Sequence, residues 1–160
     1  MSVREFELFH GAVLAKIVRN DKPVTLRMIE TKPNTEWAIY RINDEVELLV
    51  KHSKKPRPLK PPSRGRSWTF VFSGDQLSRV RSGSTWVALV CGDQTVDARG
   101  QEICLVEPAE LRHLVPAGAQ REQQSITVRL EQNRSLRVTG GGVEKVVARN
   151  RLETWAIPGS

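Results

Sequence analysis

The sequence is poor in reactive and membrane-seeking residues. No apolar run approaches the ~18 residues that a spanning helix needs. Residues 1–7 carry Arg4, Glu5 and Glu7 and lack the apolar core of a signal peptide, so the expected location is the cytosol. There are two cysteines, Cys91 and Cys104, and three scattered histidines, His10, His52 and His113. Neither cysteine belongs to a C-x-x-C pair, so the spacing of a zinc site is absent. Each cysteine sits in an apolar run, where a thiol behaves as a small hydrophobe. A hairpin centred near Asp97 and Ala98 would bring the two thiols face to face. A disulfide there is geometrically open, but buried reduced thiols are the expectation in a cytosolic chain. The glycine triplet 140–142 lacks the Lys-Ser/Thr and the following helix of a phosphate-binding loop, and reads as a flexible turn.

Acid is missing from one place in particular. The net charge is +7, and residues 51–66 contain Lys51, Lys54, Lys55, Arg57, Lys60, Arg64 and Arg66 with no Asp or Glu. The eighteen cations elsewhere match the eighteen acids of the chain. The positive charge is therefore one local patch. Four prolines (Pro56, Pro58, Pro61, Pro62) share that segment. Proline removes backbone donors, so an extended basic loop is expected there.

A length of 160 residues with 39% apolar and 27% charged residues suits one folded domain with a true core. Phe6, Phe9, Val13 and Ile17 recur at helical spacing, and residues 20–23 stop that helix. Strands are expected at 24–30, 37–42 and 46–51, with turns at 32–35 and 43–44. After the basic segment, Trp68, Phe70 and Phe72 alternate along a strand, and residues 73–80 form a short helix capped by Ser73. The wholly apolar run 86–91 reads as a central strand covered on both faces. A strand at 102–106 and a helix at 108–115 follow, with Pro108 in its first turn. Beyond the polar stretch 117–124, residues 125–130 and 136–139 alternate like a hairpin with one wet face. The fold class is α+β: a mixed central sheet flanked by helices, with an added C-terminal β-hairpin.

Helix, three strands, helix, strand is an order similar to the core of the PD-(D/E)XK nuclease superfamily. The run Glu47-Leu-Leu-Val-Lys-His-Ser53 resembles that family's third core strand, which ends in an acid, any residue and a lysine. The resemblance implies a nuclease-like core over residues 1–115 and a C-terminal extension over 116–160, packed on the same domain. In that family two carboxylates hold a divalent cation and the lysine helps activate water. It implies Lys51 and Glu47 as catalytic candidates and Asp44 and Glu47 as metal candidates, with Mg²⁺ or Mn²⁺ if the chain is active. Glu36 is a further candidate for the upstream acid, and Glu5 or Glu7 for a helical glutamate. The motif is degenerate here. The position two before Lys51 is Leu49, which cannot ligate a metal. Glu47 lies ~6.5 Å further up the strand, one pleat away.

The basic patch then argues for holding a polyanion more than for cutting one. The expected function is nucleic-acid binding through phosphates, by Lys54, Lys55, Arg57, Lys60, Arg64 and Arg66. Arg129 and Arg137, on the wet face of the C-terminal hairpin, extend the surface. Trp68 is a candidate base-stacking residue, although its alternation with Phe70 and Phe72 suits a core strand better. The alternatives are an active metal-dependent nuclease with altered carboxylates, and a regulatory module docking on an acidic protein partner.

Overall fold

The computed structural model describes residues 5–19, 23–31, 37–93, 101–116 and 123–158. The expected features at 20–22, 32–36, Asp97–Ala98 and 117–122, with the side chain of Glu5, lie outside the described residues. The chain begins with helix α1 (Glu5–Val18), whose Phe9, Val13 and Ile17 repeat every four residues and are buried. Strands β1 (Leu26–Thr31), β2 (Trp37–Ile42) and β3 (Val46–Ser53) form an antiparallel meander. Asn43 and Asp44 turn β2 into β3 with φ of 54° and 56°. Among residues that carry a side chain, Asn and Asp best tolerate that left-handed region.

The chain then leaves this sheet. Strands β4 (Arg57–Pro58) and β5 (Gly65–Phe72) form a hairpin, and helix α2 (Gly74–Arg81) leads to β6 (Thr85–Cys91), which pairs parallel with β3. Strand β7 (Glu102–Val106) and helix α3 (Pro108–Leu114) follow. Strands β8 (Gln124–Glu131), β9 (Leu136–Gly140) and β10 (Val143–Val147) complete the order. The result is α+β with two five-stranded sheets. The first, mixed sheet runs β1-β2-β3-β6-β7 and the second, antiparallel sheet runs β10-β9-β8-β5-β4.

The first sheet is covered on both faces, which explains the apolar runs of β3 and β6. On one face Phe9, Val13 and Ile17 of α1 pack on Ala38, Tyr40, Leu48, Val50 and Val90, joined by Leu152, Trp155 and Ile157 of the C-terminal tail. On the other face Ile39, Leu49, Val87 and Leu89 meet Trp68, Phe70, Phe72, Ile126, Val128 and Val138 of the second sheet. Leu77 and Val80 of α2 and Leu111 and Leu114 of α3 close this second core. Residues 124–158 thus contribute to both cores.

Two expectations are corrected. Residues 51–66 are not one extended loop: 51–53 finish β3, and a β-hairpin follows. Proline is tolerated because β4 is an edge strand, where a missing N–H breaks no ladder. Leu59 N donates to Gly65 O at 3.1 Å and closes the turn. Gly65 takes φ of 149°, and a Cβ there would lie 1.9 Å from Leu130 O, so only glycine lets the hairpin reach β8. The triplet 140–142 is likewise not merely a flexible turn. Gly141 and Gly142 (φ 56° and 76°) make a tight turn into β10, a third strand beyond the expected pair.

At the far end of β3, His10 Nε2 and His52 Nδ1 lie 3.1 Å apart inside the α1 face, and the Phe9 ring stacks on His52 at 4.9 Å. Gly92 sits beneath that stack, where a Cβ would meet the Phe9 ring at 2.5 Å. Replacing Gly92 with Ala should therefore destabilise the fold by about 1–3 kcal/mol through overpacking, read from urea midpoints. Cys91 and Cys104 are free, buried thiols in the inter-sheet core, diagonal to one another across β6 and β7. Burial pushes the Cys91 thiol well up, and it pushes Cys104 up to about 12. Native protein at pH 8 should resist a thiol-specific disulfide reagent, and denatured protein should react at both sites. The unfolded thiols lose protons near 9 while the folded ones keep theirs, so stability should fall as pH rises through that range.

Candidate nucleic-acid interface

The strand that resembles a catalytic strand is built into the core. Glu47, Leu49 and Lys51 alternate onto one face of β3, as strand geometry requires, and that face meets the second sheet. Leu49 is fully buried among apolar side chains. Glu47 Oε1 accepts from Arg79 Nη1 at 2.8 Å, and its Oε2 accepts from Thr85 Oγ1 at 2.6 Å. Both carboxylate oxygens are thus engaged in fastening β3 to α2 and β6. Lys51 is buried, and its Nζ donates to Val71 O at 2.7 Å and to Gln76 Oε1 at 2.9 Å. The Phe72 ring lies 4.9 Å below that ammonium, a further stabilising contact. Glu47 and Lys51 lie ~13 Å apart along the strand, and each is held by its own internal partners.

Asp44 sits on the β2–β3 turn, exposed, 3.6 Å from Arg27. Glu7 is exposed on α1, and Glu36 is outside the described residues. Asp44, Glu45, Glu47 and Asp75 do border one groove of about 660 Å³, beside Arg41 and Arg79. Yet among the described residues no three His, Cys, Asp or Glu side chains gather as a cation would require. The described residues do not fit the metal that the resemblance implies.

The basic residues are placed differently. Lys55, just before β4, and Arg57, Lys60 and Arg64 on the β4–β5 hairpin are exposed and make no ion pair with a described residue. Lys54 and Arg66 are half-buried. Arg66 turns inward, stacks at 5.0 Å over the Trp68 ring and donates to Asp93 Oδ2 at 2.9 Å. Trp68 is a core residue: it is 1% exposed and its Nε1–H donates to Gly92 O at 2.7 Å. It offers no face to a base.

Register carries the hairpin's charge across the second sheet. Arg57 pairs with Ser67, Ser67 with Arg129, and Arg129 with Arg137. In antiparallel pairs, residues directly opposite share a face, and Trp68, Phe70 and Phe72 take the inner one. Arg57, Ser67, Arg129 and Arg137 therefore form one row on the outer face. A second row holds Thr69, Thr127 and Thr139. Glu131 pairs with Arg129 at 3.0 Å and Glu144 with Arg137 at 2.8 Å, which fixes both guanidinium groups. Arg129 also donates to Ser63 Oγ at 3.2 Å, tying it to the hairpin turn.

The structure thus gathers Lys55, Arg57, Lys60, Arg64, Arg129 and Arg137 around one sheet and its hairpin, and separates them from Lys51 and Glu47. Ser67 between the arginines and the threonines beside them had a signal in the sequence, the two-residue alternation of β5 and β8, but composition alone does not pick them out. The chain matches no protein-family model, and no curated protein or solved structure matches it significantly.

Lys51 is expected to act on stability. Lys51→Met leaves the Val71 carbonyl without its buried donor and should cost about 1–3 kcal/mol. Equilibrium urea unfolding reads that loss. A variant as stable as the parent would contradict the structural role.

Proposed function

We propose that this chain binds nucleic acid through its phosphate backbone, using the β4–β5 hairpin as the principal contact. The observation that carries the reading is the charge of Lys55, Arg57, Lys60 and Arg64, which faces no carboxylate among the described residues, on the one segment that holds the whole net charge. Elsewhere Arg79, Arg129, Arg137, Arg149 and Arg151 each face a carboxylate. Unneutralised cations on a short, folded hairpin attract a polyanion by releasing its counterions. Phosphate contacts of this kind hold position without reading sequence, so the binding is weakly sequence-selective.

The first sheet supports a nuclease-like origin for the core. It keeps the order helix, three strands, helix, strand, with β4 and β5 inserted before α2 and with β3 parallel to β6. The cleaving alternative gains nothing from Glu47, Leu49 and Lys51, whose contacts are internal. An acidic protein partner would meet the same cations, and competition by nucleic acid separates the two. Two buried reduced thiols suit the cytosol as the working compartment.

The four hairpin cations alone contribute about −3.6 to the salt slope on a duplex, hence about a hundredfold loss of affinity between 50 and 200 mM salt from this segment. Fluorescence anisotropy with labelled oligonucleotides measures it. The variant with Lys55, Arg57, Lys60 and Arg64 all changed to Gln should lose most of that affinity and most of its salt dependence. Parent-like binding by this variant would refute the proposal.

A further inference from the structure

Single-stranded and double-stranded nucleic acids ask different things of a protein. A single strand is held largely by stacking its bases on aromatic rings beside a basic groove. A duplex hides its bases and offers two lines of phosphate on either side of a groove.

The described aromatic side chains are spoken for. Phe9, Trp37, Tyr40, Trp68, Phe70, Phe72 and Trp155 are all buried, and the half-buried Trp86 packs on Trp155 at 4.8 Å. All three aromatics of β5 point into the core, although β5 lies inside the basic sheet. Among the described residues, therefore, no ring stands on the basic surface to receive an unpaired base.

The outer face of the second sheet instead carries cations and hydroxyls, with Glu131 and Glu144 beside the arginines and the exposed Val71 and Val146 toward its margins. Three strand spacings separate Arg57 from Arg137, or ~14 Å, with Ser67 and Arg129 between them. A B-form major groove is about 12 Å wide, so the two ends of the row match the separation of the phosphate lines beside it. Thr69 Oγ1 lies 3.3 Å from Thr127 Oγ1, and Thr139 Oγ1 donates to Thr127 O at 3.5 Å. The row of hydroxyls is thereby held flat beside the arginines. Glu131 and Glu144 occupy one side of Arg129 and Arg137; Arg129 Nε is buried and its Nη2 is engaged by Ser63 and Glu131, so a phosphate would meet the remaining terminal nitrogens of the two side chains.

We infer that the outer face of the second sheet seats a nucleic-acid duplex, with Arg57 toward one phosphate strand, Arg129 and Arg137 toward the other, Ser67 between them and the threonine row alongside. This rests on the nucleic-acid reading above and adds to it the strandedness of the ligand and a second contact surface. DNA and RNA duplexes share the paired phosphate lines, so separate probes distinguish them.

The test compares the full chain with three labelled probes of equal length: a single-stranded DNA, the DNA duplex and the RNA duplex. At least one duplex should bind about tenfold tighter than the single strand, because only the duplex engages the sheet row as well as the hairpin. Arg129→Gln combined with Arg137→Gln, which keeps all four hairpin cations although it removes the Arg129 contact to Ser63, should lower the salt slope for that duplex by about two and leave single-strand binding unchanged. Arg57→Gln alone serves as a second variant on the exposed edge, and a thermal melt confirms that each variant folds. Equal or tighter binding of the single strand overturns the duplex inference while nucleic-acid binding stands. So does parent-like duplex binding by the Arg129/Arg137 variant when the hairpin variant has lost it. Failure of the parent to bind any probe removes both readings.

Discussion

Two parallel strands cannot be joined by a tight turn, and in this molecule β3 and β6 are parallel neighbours at the centre of the first sheet. The chain must travel out and back between them. It uses the excursion to build β4 and β5, the edge and inner strand of another sheet, before returning through α2. The basic hairpin is thus part of the central crossover and is anchored at both ends by buried strands. A charged segment hung from a terminus would lack such support. β8, β9 and β10 then complete the sheet that β5 began.

Two polar ties fix the crossover. At one end of β3, Glu47 holds Arg79 and Thr85; at the other, Lys51 holds the Val71 carbonyl and Gln76. Both ties run between the strand and the returning chain. Lys51, buried as it is, needs such partners, because a buried charge left without hydrogen bonds is costly. The pair that resembled acid–base machinery therefore acts as fastening.

Much of this architecture was legible in the sequence. The spacing of Phe9, Val13 and Ile17 marked α1, the alternation of Trp68, Phe70 and Phe72 marked β5, and the unbroken apolar run at 86–91 marked a doubly covered strand. The proline-rich segment misled because proline reports lost donors but not whether the strand is an edge, where the loss is harmless. β10 was hidden behind three glycines, whose role as a tight turn depends on the strand that follows. The candidate site divided along the same line. Local charge located the hairpin cations. The inward turn of Lys51 and Arg66, and the row that joins Arg57 to Arg137, depend on register between strands far apart in the chain, which no short window contains.

Arg129 and Arg137 stand directly opposite one another on neighbouring strands. Like charges so placed work against the sheet, and Glu131 and Glu144 relieve that repulsion only from the flanks. An anion seated between the two guanidinium groups would remove it from the centre. Its binding free energy would then be coupled to strand pairing, so occupancy of the outer face and thermal resistance of β8 and β9 would rise together.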